Sequence, residues 1–113
     1  MGRYFKIVVK PFLQRLNKRK VRQIVMEVPE EIMFRYMERR RRDLEICWES
    51  LSSGNFPVIE RVGHQLKGNG STFGFDDLAS IGNKLEIAAS SRDSAALGEV
   101  LKDFSHWVNN HIN

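Results

Sequence analysis

Residues 64–76, HQLKGNGSTFGFD, combine a histidine, a lysine and three glycines inside a chain whose longer segments favour helix. Just upstream, apolar residues recur at the spacing of one helical face: Ile59, Val62 and Leu66. Gly74 is well placed to end this helix, because glycine commonly follows a helix C-terminus. The stretch therefore predicts a helix that carries His64, a turn, and a following helix that begins near Asp76 or Asp77.

Three further segments show helical spacing. Pro29, followed by two glutamates, suits the start of a first helix, and Gly54 suits its end. Asn55 can cap the helix that carries His64, and Asp93 can cap the last helix. The apolar positions of the first helix include Met33, Met37, Leu44, Trp48 and Leu51; those of the third are Leu78, Ile81, Leu85, Ala88 and Ala89; those of the fourth are Leu97, Val100, Leu101, Phe104, Trp107 and Val108. Four amphipathic helices with short connections predict an all-α, antiparallel four-helix bundle over residues 29–113.

The charge of the chain is unevenly distributed. Residues 1–26 contain eight Lys or Arg and no acidic residue, which leaves ten basic and fourteen acidic residues in the remainder. The net charge of +4 therefore originates in a basic N-terminal extension, residues 1–28, whose middle could form a short helix. Because the bundle itself is mildly acidic, nucleic acid is not expected as its partner.

Length and composition limit the class of protein. A chain of 113 residues fits one domain with a single core. No apolar run is long enough for a membrane span or for the core of a signal peptide. The single cysteine, Cys47, cannot form an internal disulfide, and it is expected to pack in the core. We therefore expect a cytoplasmic protein.

A helical wheel places His64 on the outside of the bundle. At roughly 100° per residue, His64 lies about 160° from the middle of the apolar face. Lys67 and Gly68, three and four residues later, share its face. An exposed imidazole can act as a nucleophile, and a neighbouring ammonium can offset the charge of a phosphoryl group. Since glycine costs a helix about 1 kcal/mol relative to alanine, access to the ring is a reason for Gly68.

This pattern resembles the histidine-containing phosphotransfer (HPt) domains of bacterial two-component phosphorelays. The family pattern is approximately H-x-L-K-G, then a glycine several residues later, then a leucine-bearing helix. Here it is matched by His64, Leu66, Lys67, Gly68 and Gly74, followed by Leu78 and the run Gly82-Asn83-Lys84-Leu85-Glu86; Gly63 is the small residue before the histidine. The similarity covers about residues 30–110, and its discriminating part is a dozen positions.

The resemblance implies a role for individual residues. His64 would accept the phosphoryl group, through Nε2, and Lys67 would support that group electrostatically. Gly68 would let a receiver domain approach the ring. Gly74 would form a turn that lets Phe73 or Phe75 enter the core. Lys84 is a candidate second cation near the site, and Gln65 is a supporting neighbour of the histidine.

The resemblance also implies partners. The phosphoryl group would move between a receiver-domain aspartate, or a sensor histidine kinase, and His64, and would then pass to another receiver. No cofactor is expected in this domain, because the receiver supplies Mg²⁺. The family implies a monomeric phosphocarrier without autokinase activity, and no nucleotide motif is present: Gly68-Asn69-Gly70 lacks the G-K-[ST] of a phosphate loop.

Two alternatives stay open. The chain could be a helical binding module that docks a receiver or nucleic acid through its basic N-terminal segment, without phosphotransfer. Arg39–Arg42 could contact a receiver or another copy, although such a run usually forms a solvated helix face. His106 and His111, five residues apart, are poorly spaced for metal ligation and are expected at the surface.

Overall fold

Six elements are present in the computed structural model, which describes residues 4–9 and 24–112. Two strands precede four helices. The strands are β1, Tyr4–Val9, and β2, Ile24–Pro29; the helices are α1, Glu30–Ser53, α2, Phe56–Thr72, α3, Asp76–Ser90, and α4, Ser94–Ile112. The predicted all-α four-helix bundle is confirmed, and its helices begin within a residue or two of the predicted starts.

The helix ends follow local sequence chemistry, with two differences from expectation. Gly54 adopts a left-handed conformation, φ 72°, and closes α1. Asp93 Oδ1 accepts a hydrogen bond from the Ala96 amide, 3.0 Å, as a cap of α4. Asn55 occupies the N-cap position of α2 but makes no side-chain cap hydrogen bond. Phe75, not an aspartate, precedes the first residue of α3, and Asp77 instead accepts from the adjacent Leu78 amide, 2.8 Å.

The core is formed by one face of each helix. Its fully buried side chains include Cys47, Ile59, Leu66, Leu78, Leu85, Leu97, Leu101 and Phe104. Met37 and Leu51 of the predicted α1 face are only partly buried, and Trp48 is exposed at 37%. The spacing places Trp48 on the apolar face, but the ring lies at the edge of that face and reaches solvent.

Aromatic rings close one end of the bundle, beside the α2–α3 turn. Gly74 has φ 80°, a conformation that favours glycine, between Phe73 and Phe75. Phe73 stacks on Tyr36 of α1, 4.3 Å between ring centroids, and Phe75 meets Trp107 of α4 edge to face at 5.3 Å. Both phenylalanines are partly buried against the core, in agreement with the prediction for Gly74.

The N-terminal extension contributes an antiparallel hairpin. β1 pairs with β2 from Tyr4↔Pro29 to Val9↔Ile24, and Val28 of β2, two residues before α1, is buried. The all-α prediction therefore holds for the bundle and not for the extension. Periodicity does not reveal these strands, because each is six residues long and their pairing is non-local. The short helix expected in the middle of the extension falls in residues 10–23, outside the described residues.

No helix within the described residues is long and apolar enough to cross a lipid bilayer.

Candidate phosphoacceptor site

The site is built on the outer face of α2. Ile59, Val62 and Leu66 turn inward and are buried, which fixes the rotation of the helix. His64 consequently points outward, and 74% of its side chain is exposed to solvent. The exposure predicted by the helical wheel is confirmed. Because the ring lies on a convex helix surface, a reacting group can approach it directly.

Glu86 of α3 orients the imidazole ring. Glu86 Oε2 lies 2.6 Å from Nδ1 of His64. An ionised carboxylate can only accept hydrogen bonds, so Nδ1 is the donor and carries the proton. The neutral ring then has its lone pair on Nε2, the nitrogen that points away from Glu86. The arrangement can present Nε2 as a nucleophile toward an incoming electrophile.

Lys67 shares the same carboxylate. Its Nζ lies 3.7 Å from Glu86 Oε1, while the other oxygen of Glu86 contacts His64. Half of the Lys67 side chain is exposed, so the ion pair contributes little to stability, since median values for exposed pairs are about 0–1 kcal/mol. Its effect is positional, because it places the ammonium beside the carboxylate that also contacts His64.

Two glycines let α3 approach α2 closely enough for Glu86 to reach His64. A Cβ added at Gly63 would lie 2.7 Å from the backbone nitrogen of Glu86, and one added at Gly82 would lie 2.5 Å from that of Lys67. Gly70 makes a third close approach, 2.8 Å from the Ala79 nitrogen. Real Cβ atoms do not occupy such positions, so larger side chains would push the helices apart.

Gly68 has no comparable internal constraint. A Cβ at this position would meet nothing within 4 Å, and its backbone is helical. The glycine therefore leaves an open space one turn from His64, on the same exposed face. An internal packing requirement therefore does not explain this glycine.

The two remaining sequence candidates, Gln65 and Lys84, are not positioned like His64 and Lys67. Gln65 is exposed and adjacent to His64 in the chain. Lys84 is exposed on α3 but lies two residues from Glu86, about 160° around the helix. The face of α3 that meets α2 therefore excludes Lys84, and the geometry provides no support for it as a second cation at the site.

A polar cluster on α1 supports the other side of α2. The Tyr36 hydroxyl donates to Asn69 Oδ1, 2.7 Å, next to Gly68 in the chain. Arg40 lies over the Tyr36 ring, 4.5 Å from its centroid, and its Nε donates to Asp43 Oδ2 at 2.9 Å. Burial raises the pKa of Tyr36 above its ordinary value, so its hydroxyl keeps its proton.

Two features of this arrangement are not predicted by the sequence analysis. Glu86 belongs to the helix pattern of the family resemblance, and its acidic side chain four residues after Gly82 is the signal that could have placed it at the site. Tyr36 and Asn69 gave no signal, because a contact between residues 33 positions apart depends on how α1 packs against α2.

A cavity of about 520 Å³ lies elsewhere, at the bundle end near the hairpin. Its lining is mostly apolar and includes Met33, Phe34, Met37, Phe73 and Phe75. His64 does not line it. The candidate site is thus separate from this cavity and lies on an exposed helix surface.

Comparison of the chain with protein-family models, with curated proteins and with solved structures found no match.

Proposed function

We propose that this chain is a phosphorelay carrier of the HPt type, which receives a phosphoryl group on Nε2 of His64 and passes it to a receiver domain. The single observation that supports this most strongly is the hydrogen bond between His64 Nδ1 and Glu86, on a ring that is otherwise open to solvent. The bond assigns the lone pair to the exposed nitrogen, as a phosphoacceptor requires.

The transfer step is a displacement at phosphorus. The Nε2 lone pair of His64 forms the new N–P bond while the bond between phosphorus and the donor's aspartyl oxygen breaks, and the donor's carboxylate departs with that electron pair. Nδ1 keeps its proton, and Glu86 stabilises the positive charge that develops on the ring. Lys67 lies close enough to move its ammonium from Glu86 toward the phosphoryl oxygens.

The partner would be a protein and not a small phosphate donor. His64 lies on the outer face of α2, with 74% of its side chain exposed and the open space of Gly68 one turn away. Such a face lacks the enclosure by which an enzyme excludes water and positions a small substrate. A receiver domain, which would bring its own Mg²⁺ and acidic site, supplies that enclosure when it docks.

The test uses a receiver domain phosphorylated by a small-molecule donor in the presence of Mg²⁺. We expect acid-labile, base-stable label on the wild-type chain and none on His64→Gln. The matched control is His106→Gln, since His106 is also an exposed helical histidine, and it should be labelled like wild type. Label that persists on His64→Gln would contradict the assignment, as would an unlabelled wild-type chain across a panel of charged receivers.

A further inference from the structure

A stripe of exposed arginines runs along α1. Arg35, Arg39 and Arg42 follow one another at intervals of four and three residues, so they share one face of the helix. All three are exposed, and the side chain of Arg39 is 62% exposed. Arg35 and Arg42 form no ion pair with any described residue, and Asp43, the partner of Arg39, is already bound by the buried Arg40. The stripe therefore presents three cations with little compensation from the bundle itself.

The hydrogen bond between Tyr36 and Asn69 determines the level of this stripe relative to His64. α1 and α2 are joined by only two residues, so they run antiparallel. Each residue after Tyr36 on α1 is therefore level with about one residue before Asn69 on α2, since both helices rise by about 1.5 Å per residue. Arg42 comes six residues after Tyr36, and His64 comes five residues before Asn69. The two residues consequently lie at nearly the same height of the bundle.

The stripe and His64 also lie on the same side of the α1–α2 pair. On α1, the three arginines lie about 60–120° to one side of Tyr36, and the buried Leu44 lies on the other side of Tyr36. On α2, His64 lies about 140° to one side of Asn69, and the buried Leu66 lies on the other side of Asn69. Because both helices turn their buried residues toward one core, the arginines and His64 face solvent together on the opposite side.

Arg61 extends the positive surface onto α2. It precedes His64 by three residues and is exposed, and it forms no ion pair with any described residue. On the helical wheel, Arg61 and Gly68 lie about 80° and 100° from Asn69, both between the α1 stripe and His64. Gly68 has no side chain to separate the arginines from the ring. Four residues therefore form one arginine surface beside the candidate site: Arg35, Arg39, Arg42 and Arg61.

The charge pattern fits an acidic patch on a folded protein better than a long polyanion. The three α1 arginines span only about 10.5 Å, at about 1.5 Å per residue. Glutamates follow along the edge of the stripe that is remote from α2: Glu31, Glu38, Glu45 and Glu49. A nucleic-acid backbone that continued past the stripe would meet these carboxylates, whereas a folded partner can place its acidic groups against the arginines alone. Residues 10–23 of the chain are a poor occupant, because they contain six Lys or Arg and no acid.

We propose that the arginine surface docks the acidic face of a receiver domain, steers it onto His64 and selects which receivers are accepted. This inference rests on the proposed function and adds to it, because it assigns partner selection to α1, which carries none of the transferring groups. Charges at the rim of an interface act mainly on the association rate and its salt dependence. We therefore expect the surface to control how often a receiver binds, and not the rate of transfer once it is bound.

The first experiment measures receiver binding in the absence of transfer. The full chain carrying His64→Gln is titrated with the panel of receiver domains in Mg²⁺, at low and at high salt. We expect the best receiver to bind about tenfold more weakly in about 0.5 M salt than in about 0.05 M salt, because surface charges are screened. Adding Arg42→Glu should weaken binding about fivefold at low salt and much less at high salt.

Arg41→Glu is the matched control for Arg42→Glu. It makes the same change of charge at the neighbouring position, but Arg41 lies about 100° away around α1 and pairs with Glu38. It should leave receiver binding within twofold of the parent chain. Equal weakening by the two variants would overturn the proposal, because net charge alone would then explain it. Failure of every receiver to bind would overturn it as well.

Transfer kinetics separate this proposal from the proposed function. With His64 present, Arg42→Glu should raise the receiver concentration for half-maximal labelling about fivefold and change the maximal rate less than twofold. Labelling and binding that are both unchanged in Arg42→Glu would overturn the docking surface and leave phosphotransfer intact. Binding that weakens in Arg42→Glu, with no label on His64 in any chain, would support the docking surface and contradict phosphotransfer. A single-stranded oligonucleotide that binds through Arg42 more tightly than every receiver would overturn the choice of partner.

Discussion

Gly63 and Gly82 lie directly opposite each other across the α2–α3 seam, so close that a Cβ on either would come within 2.7 Å of the other's carbonyl oxygen. This contact sets the spacing of the two helices at the level of the candidate site. One residue after Gly63 comes His64, and one helical turn after Gly82 comes Glu86. The glycine pair therefore determines whether the carboxylate of α3 can reach the imidazole of α2.

Enlarging this glycine pair is expected to damage both stability and site geometry. Gly63→Ala and Gly82→Ala should each lower the free energy of unfolding by about 1–3 kcal/mol, because the added methyl meets backbone atoms that cannot move alone. Urea unfolding measures the loss. Gly98→Ala is the control, since a Cβ there meets nothing within 4 Å. Equal free energies of unfolding for Gly63→Ala and wild type would contradict the prediction, because they would mean that α2 and α3 can move apart without cost.

Gly68 should respond in the opposite direction. Gly68→Ala removes a helix-interior glycine from open space, so it should raise the free energy of unfolding by up to about 1 kcal/mol. Gly68→Gln should leave the fold intact and slow phosphoryl transfer from a charged receiver, because its side chain fills the approach to His64. Gly98→Ala should gain similar stability with no change in transfer. If Gly68→Ala lowered the free energy of unfolding, Gly68 would have a packing role, which would contradict the open space found around it.

Glu86 should control the tautomer of His64. In Glu86→Ala the ring loses its fixed acceptor at Nδ1, so both neutral tautomers become populated and phosphoryl acceptance should fall about tenfold. Nitrogen-15 NMR of the imidazole detects the tautomer change without any partner present. Glu99→Ala removes a different carboxylate, which is exposed and also pairs with a lysine, and it should alter neither readout. A single unchanged tautomer in Glu86→Ala would refute the orienting role.

Cys47 is expected to make the fold less stable at alkaline pH. Burial, followed by the nearby charge of Asp43, raises the pKa of the thiol from 9.0 to about 12. Between those values the unfolded chain releases the proton and the folded chain keeps it, so stability falls as pH rises, by about 1.4 kcal/mol per pH unit at most. Below pH 9 the thiol is protonated in both states, so its contribution to the free energy of unfolding is fully present.

Comparison with Cys47→Ala isolates this effect. The variant loses buried volume and should be less stable than wild type at pH 8. The difference in free energy of unfolding between wild type and Cys47→Ala should narrow as the pH is raised toward 11, because only the wild type loses the thiol contribution. A gap that stays constant in urea unfolding across this range would show that the thiol does not titrate differently in the two states.

Asp43 should be among the most sensitive polar residues of the bundle. It is buried at 2% exposure and holds the guanidinium of Arg40, which is also buried. Asp43→Ala leaves that charge without its partner in the interior, and the expected loss is about 3–5 kcal/mol. Glu38→Gln breaks an exposed ion pair with Arg41 and should change stability by less than about 0.5 kcal/mol. Similar losses for the two variants would contradict the role of burial.

Local sequence features predicted much of the bundle. The spacing of Ile59, Val62 and Leu66 established the rotation of α2 and hence the exposure of His64, because helix periodicity is set by the backbone alone. Gly54 and Asp93 marked helix ends through their own conformational and capping chemistry. These are short-range effects, and the residues that cause them are adjacent in the chain.

Long-range features were not predictable in the same way. The contact between His64 and Glu86 joins residues 22 positions apart, and it depends on a helix spacing that Gly63 and Gly82 set only when they meet. The β1–β2 pairing has the same character, because the sequence of a six-residue strand does not indicate its partner strand. The expectation that Lys84 is near the site has the same weakness. Lys84 does lie on α3, but it does not lie on the face of α3 that meets α2.

The shared carboxylate of Glu86 also bears on how this surface can change during evolution. One oxygen serves His64 and the other serves Lys67, so the three residues do not mutate independently. A larger side chain at Gly82 would meet the backbone of Gly63 and Lys67, and it would affect all three residues by changing the spacing of α2 and α3. The effect of a mutation at His64 or Lys67 should therefore depend on which residues occupy positions 63 and 82. Strong epistasis is expected between this glycine pair and the two site residues, although the glycines themselves contact no ligand.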